Sequence, residues 1–263
     1  MKQHSGKNKH PFHYWNKAEK ISRNLTSNIN RFFDFSKCLS FCDLKGKVII
    51  TMLNDLLNER RSIRAFLPKP VQQEKLDAIL EAAGKTASWT NVQPWEVFVV
   101  TGRTLERIKN KFQEKHAQKA KSELEVPWPT KWSETAKARQ GSFFADIEKD
   151  EAVSSQFFKL NDLMFHAPAV IYICVDKTMS EWTLYDIGLY SQSIMLLATE
   201  HGLGTMPAVT LAQYPEVLRK ELNIPENLKL TIGIAIGYID GENPINSFRS
   251  SRVSIDETVR FFS

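Results

Sequence analysis

The stretch RRSIRAF, residues 60–66, sets Arg60, Arg61 and Arg64 around Ser62. A guanidinium is a planar fork of donors that stays protonated near neutral pH. Arginines gathered this way suit a phosphate or another oxyanion, and a serine hydroxyl adds one more donor. The competing reading is solvated surface charge, which asks nothing of the surrounding residues. Other chemistries find less support. The chain contains no G-x-G-x-x-G after a strand, no Walker loop, no G-x-S-x-G and no H-E-x-x-H, so the usual signals of dinucleotide, nucleotide triphosphate, hydrolase and zinc-protease sites are missing. His116, His166 and His201 have no spacing that favours a triad with a serine and an aspartate. Cys38, Cys42 and Cys174 are an odd count without a C-x-x-C pair, which argues for reduced thiols and against a disulfide framework or structural zinc.

The elements that must position these arginines follow from periodicity. The helix-like run MLNDLLNE leads directly into them. Residues 71–83 predict a helix with Leu76, Ile79, Leu80 and Ala83 on one face, marked by Pro70 before it and Gly84 after it. Residues 97–100 predict a short strand, and residues 104–122 a charged amphipathic helix. The stretch 126–147 opens with prolines and tryptophans that break the pattern; it predicts a binding loop leading into further helix, a place for substrate choice to reside. After Pro168 the run AVIYICV predicts a buried strand. Residues 183–201 predict a long helix that is apolar nearly all round, hence buried and a candidate contact with another chain, with Gly202 and Gly204 ending it. Residues 212–222 predict another amphipathic helix. Residues 230–238 predict a strand in which Gly233 and Gly237 permit close backbone approach. No repeat of about 20 to 50 residues supports a solenoid.

With 263 residues, 42% hydrophobic and 25% charged, the chain can bury a substantial core in one large domain or two small ones. No run of about 18 apolar residues predicts a membrane helix. The opening MKQHSGKNKH lacks the apolar stretch of a secretory signal, so a cytoplasmic location is the default expectation. The formal charge of +5 is unevenly placed: residues 1–51 hold ten Lys and Arg against three Asp and Glu, a local +7, so the remainder nets −2. A basic arm can bind a polyanion. This one has no arginine-rich stripe, zinc-finger spacing or aromatic RNA-binding signature, which argues against nucleic acid. Three readings of the arm stand: a disordered or loosely attached extension, a targeting peptide, or leader sequence upstream of a start at Met52. The division expected is a basic N-terminal extension, residues 1–51, outside a folded domain of residues 52–263.

Several segments fit together in a specific order. RRSIRAF with Pro70 and Val71, then SWTNVQPWEVFVVTG, then EHGLGTMP and finally FRSSR stand at the separations seen in the nitroreductase family of FMN flavoproteins, which the chain resembles over residues 52–263. The runs DIGLYSQSIMLLA, LAQYPEVLRKELNIP and NSFRSSRVSIDE look most like the nitrobenzoate reductase branch.

The resemblance implies roles residue by residue. The family's R-x-S-x-R/K motif, which holds the FMN phosphate and ribityl chain, falls on Arg60, Ser62 and Arg64, with Arg61 in the variable basic position. The C-terminal arginine of the family falls on Arg252, with Arg249 beside it. Arg64 is also implied to face the ring, where reduction gathers negative charge and a nearby cation raises the potential. Asn91 matches the asparagine that hydrogen-bonds the flavin pyrimidine edge, which needs both a donor and an acceptor. Ser88 and Trp89 occupy positions that reach the flavin from a second subunit, Trp89 departing from the small residue common there. Gln93, Pro94 and Trp95 are expected to fix that loop and pack the core. Pro207, Ala208 and Val209 stand where the family's backbone faces the flavin N5 edge, with Met206 where cysteine is frequent. Without the resemblance, the same stretch reads as a glycine helix cap and a turn.

The fold implied is α+β, a central mixed or mainly antiparallel sheet flanked by helices, in an intertwined homodimer with FMN at the interface. The helix at residues 183–201 would serve as a dimer element and the tail from Val253 would reach across to the partner. The activity implied is an FMN-dependent NAD(P)H oxidoreductase reducing nitroaromatic, nitrobenzoate-like or related electrophilic small molecules by ping-pong hydride transfer. No side-chain acid or base is implied, because the cofactor carries the chemistry. On the same fold, a dehalogenase or an enone or quinone reductase is an alternative, and a protein that holds FMN without turnover is the non-catalytic one.

Overall fold

The computed structural model describes residues 53–263, so the basic arm, Cys38, Cys42 and every expectation about them lie outside the described residues. Helix α1 (Leu53–Glu59) delivers the chain into the arginine segment, which is extended. There Ser62 pairs in parallel with Thr205, and the Ile63 N–H donates to the Thr205 carbonyl at 2.9 Å. Next come α2 (Gln73–Ala83), a 3-10 turn at Trp89–Asn91, β1 (Glu96–Thr101), α3 (Gly102–Ala117), α4 (Glu134–Glu148), α5 (Glu151–Phe157) and α6 (Lys159–Asp162). The remainder is β2 (Ala169–Asp176), α7 (Trp182–Glu200), β3 (Gly204–Ala208), α8 (Pro215–Leu222), β4 (Leu228–Gly237) and the short α9 (Ile255–Thr258). The strands form one sheet in the order β1-β2-β4-β3, with every neighbouring pair antiparallel. Of the two sheet types the resemblance implied, the antiparallel one is present.

Strand β2 is the centre of the molecule. Ala169, Ile171, Ile173 and Val175 pack with Leu76 and Ile79 of α2 and Ile187, Ile194 and Ala198 of α7. Val170, Tyr172 and Cys174 point the other way, into a second cluster with Ile108 and Phe112 of α3, Phe157 of α5 and Leu218 of α8. Alternation with period two thus feeds two cores. The run AVIYICV looks continuously apolar because neither face of this strand meets water.

The structure departs from the sequence expectations in several places, one being the charged helix expected at 104–122, which spans Gly102–Ala117. Helix α7, expected to be buried and a candidate contact with another chain, is covered by its own chain on one side: Ile187, Tyr190, Ile194 and Ala198 are buried, while Trp182 is 61% and Tyr185 64% exposed. Within one protomer the helix has a single layer to lie on. Gly202, at φ +73°, does end this helix, whereas Gly204 opens β3. A Cβ at Gly204 would come within 2.6 Å of Ile63 and 2.7 Å of Ile239, so this glycine lets the arginine segment lie against β3. The helix expected at 212–222 starts only at Pro215, whose missing N–H is harmless in the first turn. Most of the stretch 126–147 is helical: α4 starts at Glu134, capped by the Ser133 hydroxyl, which accepts from the Ala136 N–H at 3.2 Å.

Candidate functional site

A cavity of about 350 Å³ opens where α1, the arginine segment and the C-terminal segment converge. Arg60, Arg61, Ser62, Arg64, Arg249 and Arg252 line it, with Phe143 and Phe248 among its apolar residues. Among the described residues, none of these five arginines forms an ion pair with a carboxylate. Burial, and after it the charge of Arg252, pushes the Arg60 guanidinium below its usual value. Burial and the charge of Arg249 do the same to Arg61. Arg64 is the deepest, 8% exposed, and burial alone pushes it down to about 10, which leaves it cationic at neutral pH. Its guanidinium carbon lies 4.2 Å from the centre of the Phe157 ring, whose negative face offsets part of the lost hydration. Cations gathered in one hollow without carboxylate partners among the described residues make a strong positive field for an anion. Idle surface charge does not account for a buried Arg64, or for Arg60 and Arg61 lowered by burial and by the charges of Arg252 and Arg249.

Asn246 fastens the two ends of the chain at this cavity. Its side-chain oxygen accepts from the Arg64 N–H at 2.9 Å and the Ala65 N–H at 3.3 Å, and its backbone carbonyl accepts from Arg61 Nε at 3.2 Å. Arg249, three residues further on, donates to the Asn58 carbonyl at 3.2 Å and so holds the C-terminal segment against α1.

Pro207, Ala208 and Val209 lie beyond Thr205 on β3 and into the turn that follows it. Because the Ser62–Thr205 pairing is parallel, they run in the same direction as Ile63 and Arg64. Ala208 is buried, Pro207 half-buried and Val209 exposed.

Ser88, Trp89 and Asn91 do not line the arginine cavity. Ser88 and Trp89 belong to a separate, mainly apolar hollow of about 460 Å³ shared with Trp182, Tyr185, Asp186 and Leu189. The Trp89 N–H donates to both carboxylate oxygens of the buried Asp186, at 3.2 and 3.3 Å, and the Trp89 ring meets Trp182 edge-on at 5.3 Å. The Gln93 N–H donates to the Ser88 hydroxyl at 2.9 Å, and the Gln93 side chain donates to the Asn91 side-chain oxygen at 3.1 Å. Thr90, Asn91 and Gln93 have φ of 46°, 60° and 48°, left-handed conformations that cost residues with a Cβ of order 1–3 kcal/mol each. Pro94 is buried and Trp95 stacks on Tyr190 at 4.4 Å, the packing role expected of them. Reading the sequence identified neither Asp186 nor Asn246 nor Phe157. Asn246 and Asp186 each open a quoted run, NSFRSSRVSIDE and DIGLYSQSIMLLA, but neither was singled out within it.

Among known proteins, the model of the nitroreductase family matches residues 57–238, a span that stops short of Arg249 and Arg252. The nitroreductase NfnB of Mycolicibacterium smegmatis is 32% identical over 216 residues, which cover 78% of this chain and 91% of that protein. A 4-nitrobenzoate reductase of Pseudomonas putida is 28% identical over 200 residues, covering 73% of this chain and 88% of its own. The crystal structure of the FMN-dependent nitroreductase NfnB from Mycobacterium smegmatis in complex with NADPH aligns with a TM-score of 0.73 at 30% identity, over 80% of this chain and 97% of that one. Sequence match, antiparallel core and fold likeness agree over the same residues, and the chain belongs to the nitroreductase family.

Proposed function

We propose that the protein is an FMN-dependent NAD(P)H oxidoreductase that reduces nitroaromatic, nitrobenzoate-like or related electrophilic acceptors. The observation that carries this reading is the convergence of five arginines, from both ends of a nitroreductase-family chain, on one cavity without carboxylate partners among the described residues. The cavity suits the phosphate end of FMN. Its volume, about 350 Å³, lies within the range of roughly 300–1,000 Å³ typical of small-molecule sites. Arg60, Arg61, Arg249 and Arg252 offer it guanidiniums, and Ser62 a hydroxyl.

Bound FMN supplies hydride acceptance from the nicotinamide and electron delivery to the acceptor. Arg64 contributes a cation in a desolvated place, where charge acts more strongly than in water, and so favours the reduced, more negative cofactor. In this reading the backbone of Pro207, Ala208 and Val209 faces the ring edge, and Asn91 offers an amide to the pyrimidine edge. Ser88, Trp89 and Asn91 do so from a second copy of the chain. Two observations support a homodimer: these residues lie outside the arginine cavity of their own protomer, and large apolar side chains stand open on α7 and the tail. Trp182, Leu184 and Tyr185 are exposed on α7, as are Ile255, Phe261 and Phe262 after Val253. Large apolar side chains left open in this number suit an interface, and a two-fold dimer covers the same patch on both copies.

Residues 52–263 form the flavin-binding domain and residues 1–51 an extension outside it, in a protein of the cytoplasm. Among the described residues no helix is long and apolar enough to cross a membrane. A chain starting at Met52 that binds heparin as the full chain does would leave the arm without a polyanion role.

The test of the cofactor reading is titration of FMN-free protein with FMN, followed by quenching of flavin fluorescence. Saturable binding is expected. Arg60→Ala and Arg252→Ala should each weaken it about 10- to 100-fold, the value of a lost charge-assisted hydrogen bond. A protein that takes up no FMN, or arginine variants that bind it as the wild type does, would refute the reading.

A further inference from the structure

Asn246 sits in the turn Pro244–Ser247 and is 4% exposed. A primary amide has two donor hydrogens and an oxygen with two acceptor positions, and all four are used here. The oxygen accepts from the N–H groups of Arg64 and Ala65, and the nitrogen donates to the carbonyls of Ala65 at 2.8 Å and Asp240 at 2.9 Å. Three of these four bonds go to the arginine segment. That segment is held along β3 only as far as Ile63 and rejoins the fold where Phe66 pairs with Ile239. Between those points the Arg64 and Ala65 N–H groups have, among the described residues, the Asn246 amide as their partner. The Ala65 carbonyl also accepts from the Asp240 N–H at 3.2 Å, so the Asn246 side chain completes the bonding of a stretch that β3 does not pair. Its backbone carbonyl also fixes Arg61 Nε, and the chain runs on from it to Phe248, Arg249 and Arg252 at the same cavity.

We propose that Asn246 is a positioning residue for the cofactor site: it holds the Arg64 backbone and the Arg61 side chain in register, so that the guanidiniums from the two ends of the chain meet around one ligand. The proposal rests on the FMN reading above. A buried amide that served stability alone would, when removed, lower the melting temperature and leave the cofactor of the folded molecules unchanged. A positioning residue changes the cofactor itself.

The experiment uses the full-length protein and its Asn246→Ala and Asn246→Ser variants, each reconstituted with FMN. Three quantities are measured: the melting temperature without FMN, the FMN dissociation constant, and the midpoint potential of the bound flavin. Asn246→Ala should raise the dissociation constant about tenfold or more, as the Arg61 and Arg64 guanidiniums lose their register with Arg249 and Arg252, and move the potential to more negative values as Arg64 loses its fixed place. Asn246→Ser keeps a neutral hydroxyl and should move both in the same direction by less; it carries the test if the alanine variant does not fold. A wild-type dissociation constant and potential in the folded variants would overturn the proposal, whatever the melting temperature. Wild-type protein that binds no FMN would instead overturn the flavin reading beneath it.

Discussion

Replacing Arg64 with methionine should stabilise the FMN-free protein while making it a poorer host for the cofactor. Arg64 is buried, has no carboxylate partner among the described residues, and is pushed down to about 10 by burial alone. An ordinary arginine titrates more than two decades higher, and each decade of displacement is worth about 1.36 kcal/mol, so holding this cation in the fold costs about 3 kcal/mol. The lowered value belongs to the folded state of a base. The penalty is therefore present in full at every pH below about 10, where folded and unfolded chains both carry the charge, and fades only as pH rises through that value. Methionine gives up the contact with the Phe157 ring, worth about 0.5–2 kcal/mol, and a long bond from Nη1 to the Ser62 carbonyl at 3.5 Å. It keeps an unbranched apolar stem in the same space. The net expectation is a gain of about 1–2 kcal/mol. Urea unfolding of both FMN-free proteins at neutral pH and one protein concentration measures it, and a parallel series with FMN should show the ligand stabilising the wild type more than the variant. An Arg64→Met protein that is less stable than wild type without FMN would refute the reasoning, because the cation would then be satisfied by the fold itself.

Gly204→Ala would place a Cβ within 2.6 Å of Ile63, costing about 1–3 kcal/mol of stability and weakening FMN binding through the displaced arginine segment; thermal melting and an FMN titration read both. The Thr178 hydroxyl and amide, with the Asn227 side chain, hold the Asp176 carboxyl down to about 2. A carboxyl lowered in the fold stabilises above its unfolded value of about 3.9 and loses that contribution as pH falls through about 2. The melting-temperature gap between wild type and Asp176→Ala should thus be constant above about pH 5 and shrink towards zero near pH 2. Tyr185→Glu puts a charge on the exposed side of α7 and should yield folded monomers by light scattering, with FMN held less tightly; an unchanged dimer would contradict the proposed interface.

What the sequence discloses and what it conceals divide along physical lines. Strand β2 and helix α2 are legible because apolar periodicity is a local property, and Pro70 and Gly84 punctuate α2 at both ends. The arginines of the cavity are legible as chemistry, and the resemblance supplied the pairing of residues 60–64 with 249–252 that the fold brings about. The roles of Asn246 and Asp186 were not legible: each is a single polar residue whose bonds to the arginine segment or to Trp89 span more than 90 positions. The left-handed Thr90, Asn91 and Gln93 escaped because no glycine advertises the turn. For α7 the apolar composition and the helix itself were legible, whereas which of its sides its own chain covers was not, since an all-round apolar helix can be covered by its own chain or by another. The helical content of 126–147 was underestimated because α4 buries only Ile147 and so shows little amphipathic pattern.

The most direct test of the catalytic reading is anaerobic absorbance spectroscopy of the FMN-reconstituted full-length protein. NADPH or NADH should bleach the flavin band, and 4-nitrobenzoate added afterwards should restore it, as two separable half-reactions. A flavin that stays bound yet is bleached by neither nicotinamide would contradict an oxidoreductase and leave a protein that holds FMN without turning it over.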